Sequence, residues 1–145
     1  MSLQNLLGIS LDAVEPDKAQ IRRLLASAER NLADARISAL AAENQFDVAY
    51  KAILQLAMLA LNANGYRTLT SRPGHHQTAI QALALTIGLR PDSVRLLDAL
   101  RKQRNRSDYS GEPVSRAAVV ECVRSADELL VTVKAWLADR RPDLL

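Results

Sequence analysis

Residues 101 to 109 read RKQRNRSDY, which places four cationic side chains, an asparagine, a serine, an aspartate and a tyrosine within one short stretch. In helical register Arg104 and Asp108 share one face, and so do Asn105 and Tyr109, giving two adjacent polar ridges with Arg101 a turn before Arg104. A guanidinium suits bidentate contact with a phosphate, an asparagine amide can position an oxygen or a base edge, and a phenol can stack or exchange a proton. That inventory fits phosphate handling better than acyl transfer. The plainer account is a solvated helix end, because Lys and Arg near a C-terminal turn already complement the helix dipole.

Elsewhere the chemistry is sparse. His75-His76 is the only source of imidazole; it lies just before a helix that it could cap, and it could also contact a partner or reach the site at residues 101 to 109 from elsewhere in the fold. Cys122 is the single cysteine and sits in the apolar run VVECV, where it reads as core filler rather than as a nucleophile. Two adjacent histidines without spaced carboxylates or cysteines make a poor metal signature, so neither a metal nor a cofactor is expected. The Asn105-Arg106-Ser107 glycosylation pattern is incidental to a cytoplasmic protein.

The elements that must carry these residues are helices. With 145 residues, 48% of them hydrophobic and 24% charged, the chain suits one domain over residues 1–145 and is short for two. Aromatics make up 3% and glycines number five, which disfavours a β-sandwich or barrel. Pro16 opens an amphipathic helix from about Asp17 to Ala35, with Ile21, Leu24, Leu25, Ala28 and Leu32 in one stripe. A second helix begins around Asn44 to Asp47, runs through Phe46, Ala49, Ile53, Leu56, Ala57 and Leu61, and stops at Asn64-Gly65. It is apolar on most sides and so belongs at the centre.

TLTSRPGHH is the clearest loop, and the shorter helix after it ends at Gly88. Pro91 opens the helix that delivers the polar stretch, with Val94, Leu97 and Leu100 toward the core. Ser115 caps a last helix that carries Val119, Val123, Ala126, Leu130, Val133 and Leu137 until Pro142 ends it. Trp136 and Phe46 read as core residues. The expected fold is all-α, an antiparallel up-and-down bundle of about five helices.

A net charge of +3 is compatible with nucleic-acid binding without requiring it. The N-terminal MSLQNLLGISLDAV lacks a secretory pattern, and AILQLAMLAL, residues 52 to 61, is about half the length of a membrane span. A soluble, cytoplasmic protein with no membrane partner is expected. The Pro91–Arg106 helix could be read as a DNA-recognition element, but its apolar residues are committed to the core and no helix-turn-helix turn precedes it.

Arg104-Asn105, the upstream helical hairpin, the loop RPGHHQT, the helix leading to LRKQRNRSDYSG and the long final helix together resemble the HEPN family, the higher eukaryote and prokaryote nucleotide-binding domains. In that family an Arg-Asn pair is followed at four to six residues by a histidine. Two copies meet in a dimer cleft, and active members cleave RNA without a metal. The resemblance implies a homodimeric RNA-binding protein or metal-independent ribonuclease, as in toxin-antitoxin systems. Arg104 would stabilise the phosphate transition state and Asn105 would position groups, while Arg101, Lys102 and Arg106 would contact nucleic acid.

The position of the family histidine is held here by Tyr109, five residues after Arg104. A phenol with a pKa of about 10 is a poor base near neutrality compared with an imidazole at about 6.5. Asp108 could accept a proton, though it reads first as the ionic partner of Arg104. The alternative is a non-catalytic helical partner of a minimal nucleotidyltransferase, in which Tyr109 would be an acceptor for nucleotide modification.

Overall fold

A computed structural model of the chain describes residues 2–145. Among the described residues, six α-helices and a short two-stranded ribbon follow in the order β1 (Leu11–Ala13), α1 (Lys18–Ala35), α2 (Ala42–Ala63), β2 (Tyr66–Thr68), α3 (His75–Gln81), α4 (Leu83–Thr86), α5 (Pro91–Ser110) and α6 (Arg116–Arg140), with a short 3-10 turn near each end of the chain. The architecture is the expected all-α bundle, with α3 and α4 standing where one short helix was read.

The centre is α2, because its sequence leaves it almost no polar face. Phe46, Ala49, Ile53, Leu56, Ala57 and Ala60 are all buried, and α1, α3, α4, α5 and α6 pack around them. Burying a side chain such as Ile53 or Leu56 contributes about 1.5–3 kcal/mol, and the alanines between them let neighbouring helices approach closely. By length and composition α2 could cross a membrane, yet 67% of its most apolar window is buried inside the bundle, as in the core helix of a soluble protein.

Caps explain most boundaries. Asp17 accepts from the Gln20 amide at 3.1 Å to start α1, and Ser115 accepts from the Ala118 amide at 3.1 Å to start α6. Gly111, at φ 70°, ends α5 while its N–H bonds the Ser107 carbonyl. Buried Gln45 ties down the turn between α1 and α2, donating to the carbonyls of Ala35 and Ile37 at 3.0 Å each and accepting from Arg116 at 2.6 Å.

Two features differ from the sequence reading. β1 and β2 pair antiparallel, with Leu11 opposite Thr68 and Ala13 opposite Tyr66. Three-residue strands are too short to show a two-residue period, so this ribbon left no pattern to read. The loop TLTSRPGHH is correspondingly shorter, since Thr68 closes β2 and His75-His76 already form the first turn of α3. The second difference is the interruption of the short helix at Ala82, which divides α3 from α4.

Candidate functional site

Helix α5 turns one side inward. Leu97, Leu100, Arg101, Arg104 and Asp108 follow one another at helical spacing along it, and Leu97 and Leu100 anchor that side in the core. Arg101 and Arg104, which continue the stripe, are therefore partly enclosed by the bundle, while Asp108 at its end is exposed.

Arg104 is the best-ordered member by its contacts. Its Nε approaches Asp108 Oδ2 at 2.9 Å, one turn along α5, and Asp47 Oδ1 at 3.2 Å on α2. Its guanidinium carbon lies 5.6 Å from the ring centroid of Tyr50, within reach of a cation–π interaction. Only 27% of the Arg104 side chain is exposed. Asp47 and Tyr50 are one turn apart on α2, so the core helix presents a carboxylate and an aromatic face together to the same guanidinium.

Arg101 is more enclosed still. Its Nε bonds Asp98 Oδ1 at 2.8 Å, with 13% of its own side chain exposed. Lys102 pairs with the same Asp98 at 3.6 Å, and Arg106 reaches Glu112 at 3.4 Å. Every cation of the stretch thus has a carboxylate partner, and the patch is far closer to neutral than the sequence run suggests. Asn105 is half-buried beside Arg104. Tyr109 is 86% exposed and lies off the inward side of α5, as do Lys102 and Arg106. The structure therefore brings Arg101, Arg104 and Asp108 together, with Asn105 at their flank, and separates Tyr109, Lys102 and Arg106 from them.

Two residues of α2, Asp47 and Tyr50, complete the surroundings of Arg104. Tyr50 is 2% exposed, its hydroxyl is buried without a hydrogen-bond partner, and burial pushes its pKa up to about 12 against the opposing pull of Arg104 and Arg101. His76 lies on the side of α3 shared with buried Ala79 and Ile80, and α3 packs against both α2 and α5. Partial burial lowers the His76 pKa from its ordinary value, and the charges of His75, Arg104 and Arg101 lower it further. His75 stands edge-on to it, with ring centroids 4.5 Å apart. The sequence signal for these partners was weak, because helical spacing relates only residues on one element.

Cys122 is fully buried near the Phe46 carbonyl, and burial raises its thiol pKa to about 12, so it behaves as core. Among the described residues no three His, Cys, Asp or Glu side chains converge as a set of metal ligands.

A family model for the HEPN domain matches residues 21–136, from the first turn of α1 to near the end of α6. No curated protein matches the chain. The match spans the helices that build the Arg104 site and leaves β1 outside it. The matched span runs through α1, α2, α5 with Arg104-Asn105 and most of the long α6, and the chain belongs to the HEPN domain family, whose members are nucleotide-binding domains.

Proposed function

We propose that the chain binds RNA through its phosphodiester backbone at Arg104 and Asn105, and that it acts as a metal-independent ribonuclease with two copies of the site facing each other in a homodimer. The observation that carries the reading is the setting of Arg104. A side chain that merely solvated a helix end would not be folded back over the Tyr50 ring and flanked by Asp47 and Asp108. Both carboxylates close on Nε, at the stem of the guanidinium, which leaves the Nη1 and Nη2 edge for a phosphate in fork geometry. The half-buried Asn105 amide is the neighbouring polar group for the sugar or base. The balanced charge of the patch supports a site that selects by geometry rather than a broad cationic surface. A reduced, cytoplasmic setting and a toxin-antitoxin role follow from the same reading.

The test is incubation of the purified protein with total RNA in EDTA, beside Arg104→Ala. Cleavage by the wild type that is lost in the variant supports the assignment. Absence of cleavage removes the nuclease part, and cleavage indifferent to Arg104 removes this site.

One observation favours a second reading, a non-catalytic partner of a minimal nucleotidyltransferase. Tyr109 is 86% exposed near the end of α5, where an enzyme could reach its hydroxyl. Co-expression with such a partner would then add the mass of a nucleotide to the wild type and not to Tyr109→Phe.

A further inference from the structure

We propose that the solvent side of α6 pairs with the same side of α6 in a second copy of this chain, antiparallel about a two-fold axis, at an interface separate from the Arg104 site.

Helix α6 commits one side to the core, where Val119, Cys122, Ala126, Leu129 and Val133 are buried. The opposite side of such a helix is ordinarily polar. Here it carries Val120, 59% exposed, and Val131, 68% exposed; among the described residues they are the only large apolar side chains of α6 exposed to that degree. They stand about three turns apart, which places them on one line of the helix surface. A β-branched residue is a weak helix former, so two of them in open solvent carry a local cost that no packing within the chain offsets.

The residues along that line follow in alternating steps of three and four: Ala117, Val120, Arg124, Asp127, Val131 and Lys134. Asp127 is half-buried and the others are exposed. Steps of three and four make the seam of a helix pair. The order of the side chains then selects the partner. Turned end for end about the point between Ser125 and Ala126, the line falls on itself, so that Val120 of one copy meets Val131 of the other, Arg124 meets Asp127, and Ala117 meets Lys134, each pair occurring twice. Valine meets valine, opposite charges meet, and the lysine stem lies over alanine. A parallel pairing of the same helices would set Arg124 against Arg124 and Asp127 against Asp127, which the charges oppose.

Within one chain Asp127 is paired with Arg36, and Arg124 with Glu121 and Glu128. All five side chains are partly exposed, so the contact between copies joins existing pairs into one network and buries no unpaired charge. Arg104 is held by Asp47, Asp108 and Tyr50, none of which lies on this line. The α6 pairing is therefore a different surface from the Arg104 site, and a chain that uses both assembles beyond a dimer. The line is narrow, with two valines per copy, so the association depends on concentration.

The experiment has two arms on the full chain, with helicity and thermal midpoint checked for every variant. In the first, sedimentation velocity over a concentration series compares the wild type with Val120→Glu/Val131→Glu, with Arg124→Asp, and with the exchange Arg124→Asp/Asp127→Arg. The valine double variant sets like charges against each other and should associate at least about tenfold more weakly. Arg124→Asp alone should weaken association, and the exchange should recover it, which a general loss of surface charge would not do. In the second arm Val120→Cys and Val131→Cys chains are mixed under mild oxidation, with the buried Cys122 out of reach. The mixture should form disulfide-linked dimers and neither chain alone should, because each position lies roughly 16 Å along the helix from its own counterpart. A wild type that stays monomeric, a mass indifferent to the valine and charge variants, or cross-linking of either chain alone in preference to the mixture overturns the inference. Arg104 and Asn105 are untouched in every variant, so the RNA reading stands or falls separately.

Discussion

Arg104 Nε lies 3.2 Å from Asp47 Oδ1, a contact between residues 57 apart in sequence that joins the motif-bearing α5 to the core helix α2. Asp108 closes on the same nitrogen at 2.9 Å from one turn further along α5. The arginine is thereby oriented by one long-range and one local carboxylate, and the two differ in what they hold: Asp47 fixes α5 against the bundle, whereas Asp108 fixes only the side chain. A double-mutant cycle with Asp47→Ala and Arg104→Ala, followed by urea unfolding, should give a coupling of about 0.2–1 kcal/mol, because both partners are partly solvated. Zero coupling would mean that the pair does not hold in solution.

Tyr50→Phe should stabilise the protein. The ring fills the same space beneath Arg104, and the substitution removes a hydroxyl that is buried without a partner. An unsatisfied buried hydroxyl costs about 1–3 kcal/mol, so a gain of about 1 kcal/mol and a thermal midpoint higher by roughly 2–4 °C are expected. The alkaline limb provides a second check. The folded-state pKa of Tyr50 is raised from 10.0 to about 12, so its contribution is fully present below pH 10 and is lost as pH rises toward 12. Tyr50→Phe should lose less stability than the wild type across that interval in urea titrations.

The contrast between the motif and its partners marks what a sequence can carry. The stripes of α1, α5 and α6 were legible because helical burial repeats every three to four residues, and Ser115 was legible as a cap because its hydroxyl serves the amide three residues on. Arg104 with Asp108 was legible for the same local reason. Asp47 and Tyr50 were not, since their relation to Arg104 exists only once α2 and α5 are packed. Tyr109 shows the opposite case. Its spacing of five from Arg104 matched a family pattern, while the helix turns it outward to 86% exposure. The run of cations likewise said nothing of Asp47 and Glu112, whose carboxylates help offset it, whereas the pairing of Asp98 with Lys102 one turn later was legible from its spacing.

Substitutions within the cationic run should separate charge from geometry. Lys102 and Arg106 are exposed, each beside a carboxylate, and lie away from the inward side of α5. Replacing both with alanine should weaken RNA binding uniformly across sequences, lowering the salt slope by about 0.7 for each lost phosphate contact. Arg104→Lys keeps the charge and removes the fork, so it should cost about tenfold in affinity, ~1.4 kcal/mol, with little change in slope. Fluorescence anisotropy with a single-stranded RNA at several salt concentrations gives both quantities. Equal losses in slope for all three positions would make Arg104 one more point charge.

The acid limb of stability should report His76. Its ordinary pKa is 6.5, and in the folded protein burial lowers it, followed by the charges of His75, Arg104 and Arg101. The unfolded chain therefore binds a proton at a higher pH than the folded one does, and stability rises with pH wherever that difference operates. Above about pH 6.5 the contribution is fully present; as pH falls from there through the lowered folded-state value it is lost, and below that value it does not change further. Urea unfolding of the wild type and His76→Gln should be compared at intervals from pH 8 to pH 4.5. All other groups are common to both proteins, so the difference between the two curves isolates His76. That difference should be flat at neutral pH and should shift against the wild type below about pH 6.5. A difference independent of pH would place His76 in equal surroundings folded and unfolded, contrary to its partial burial on α3.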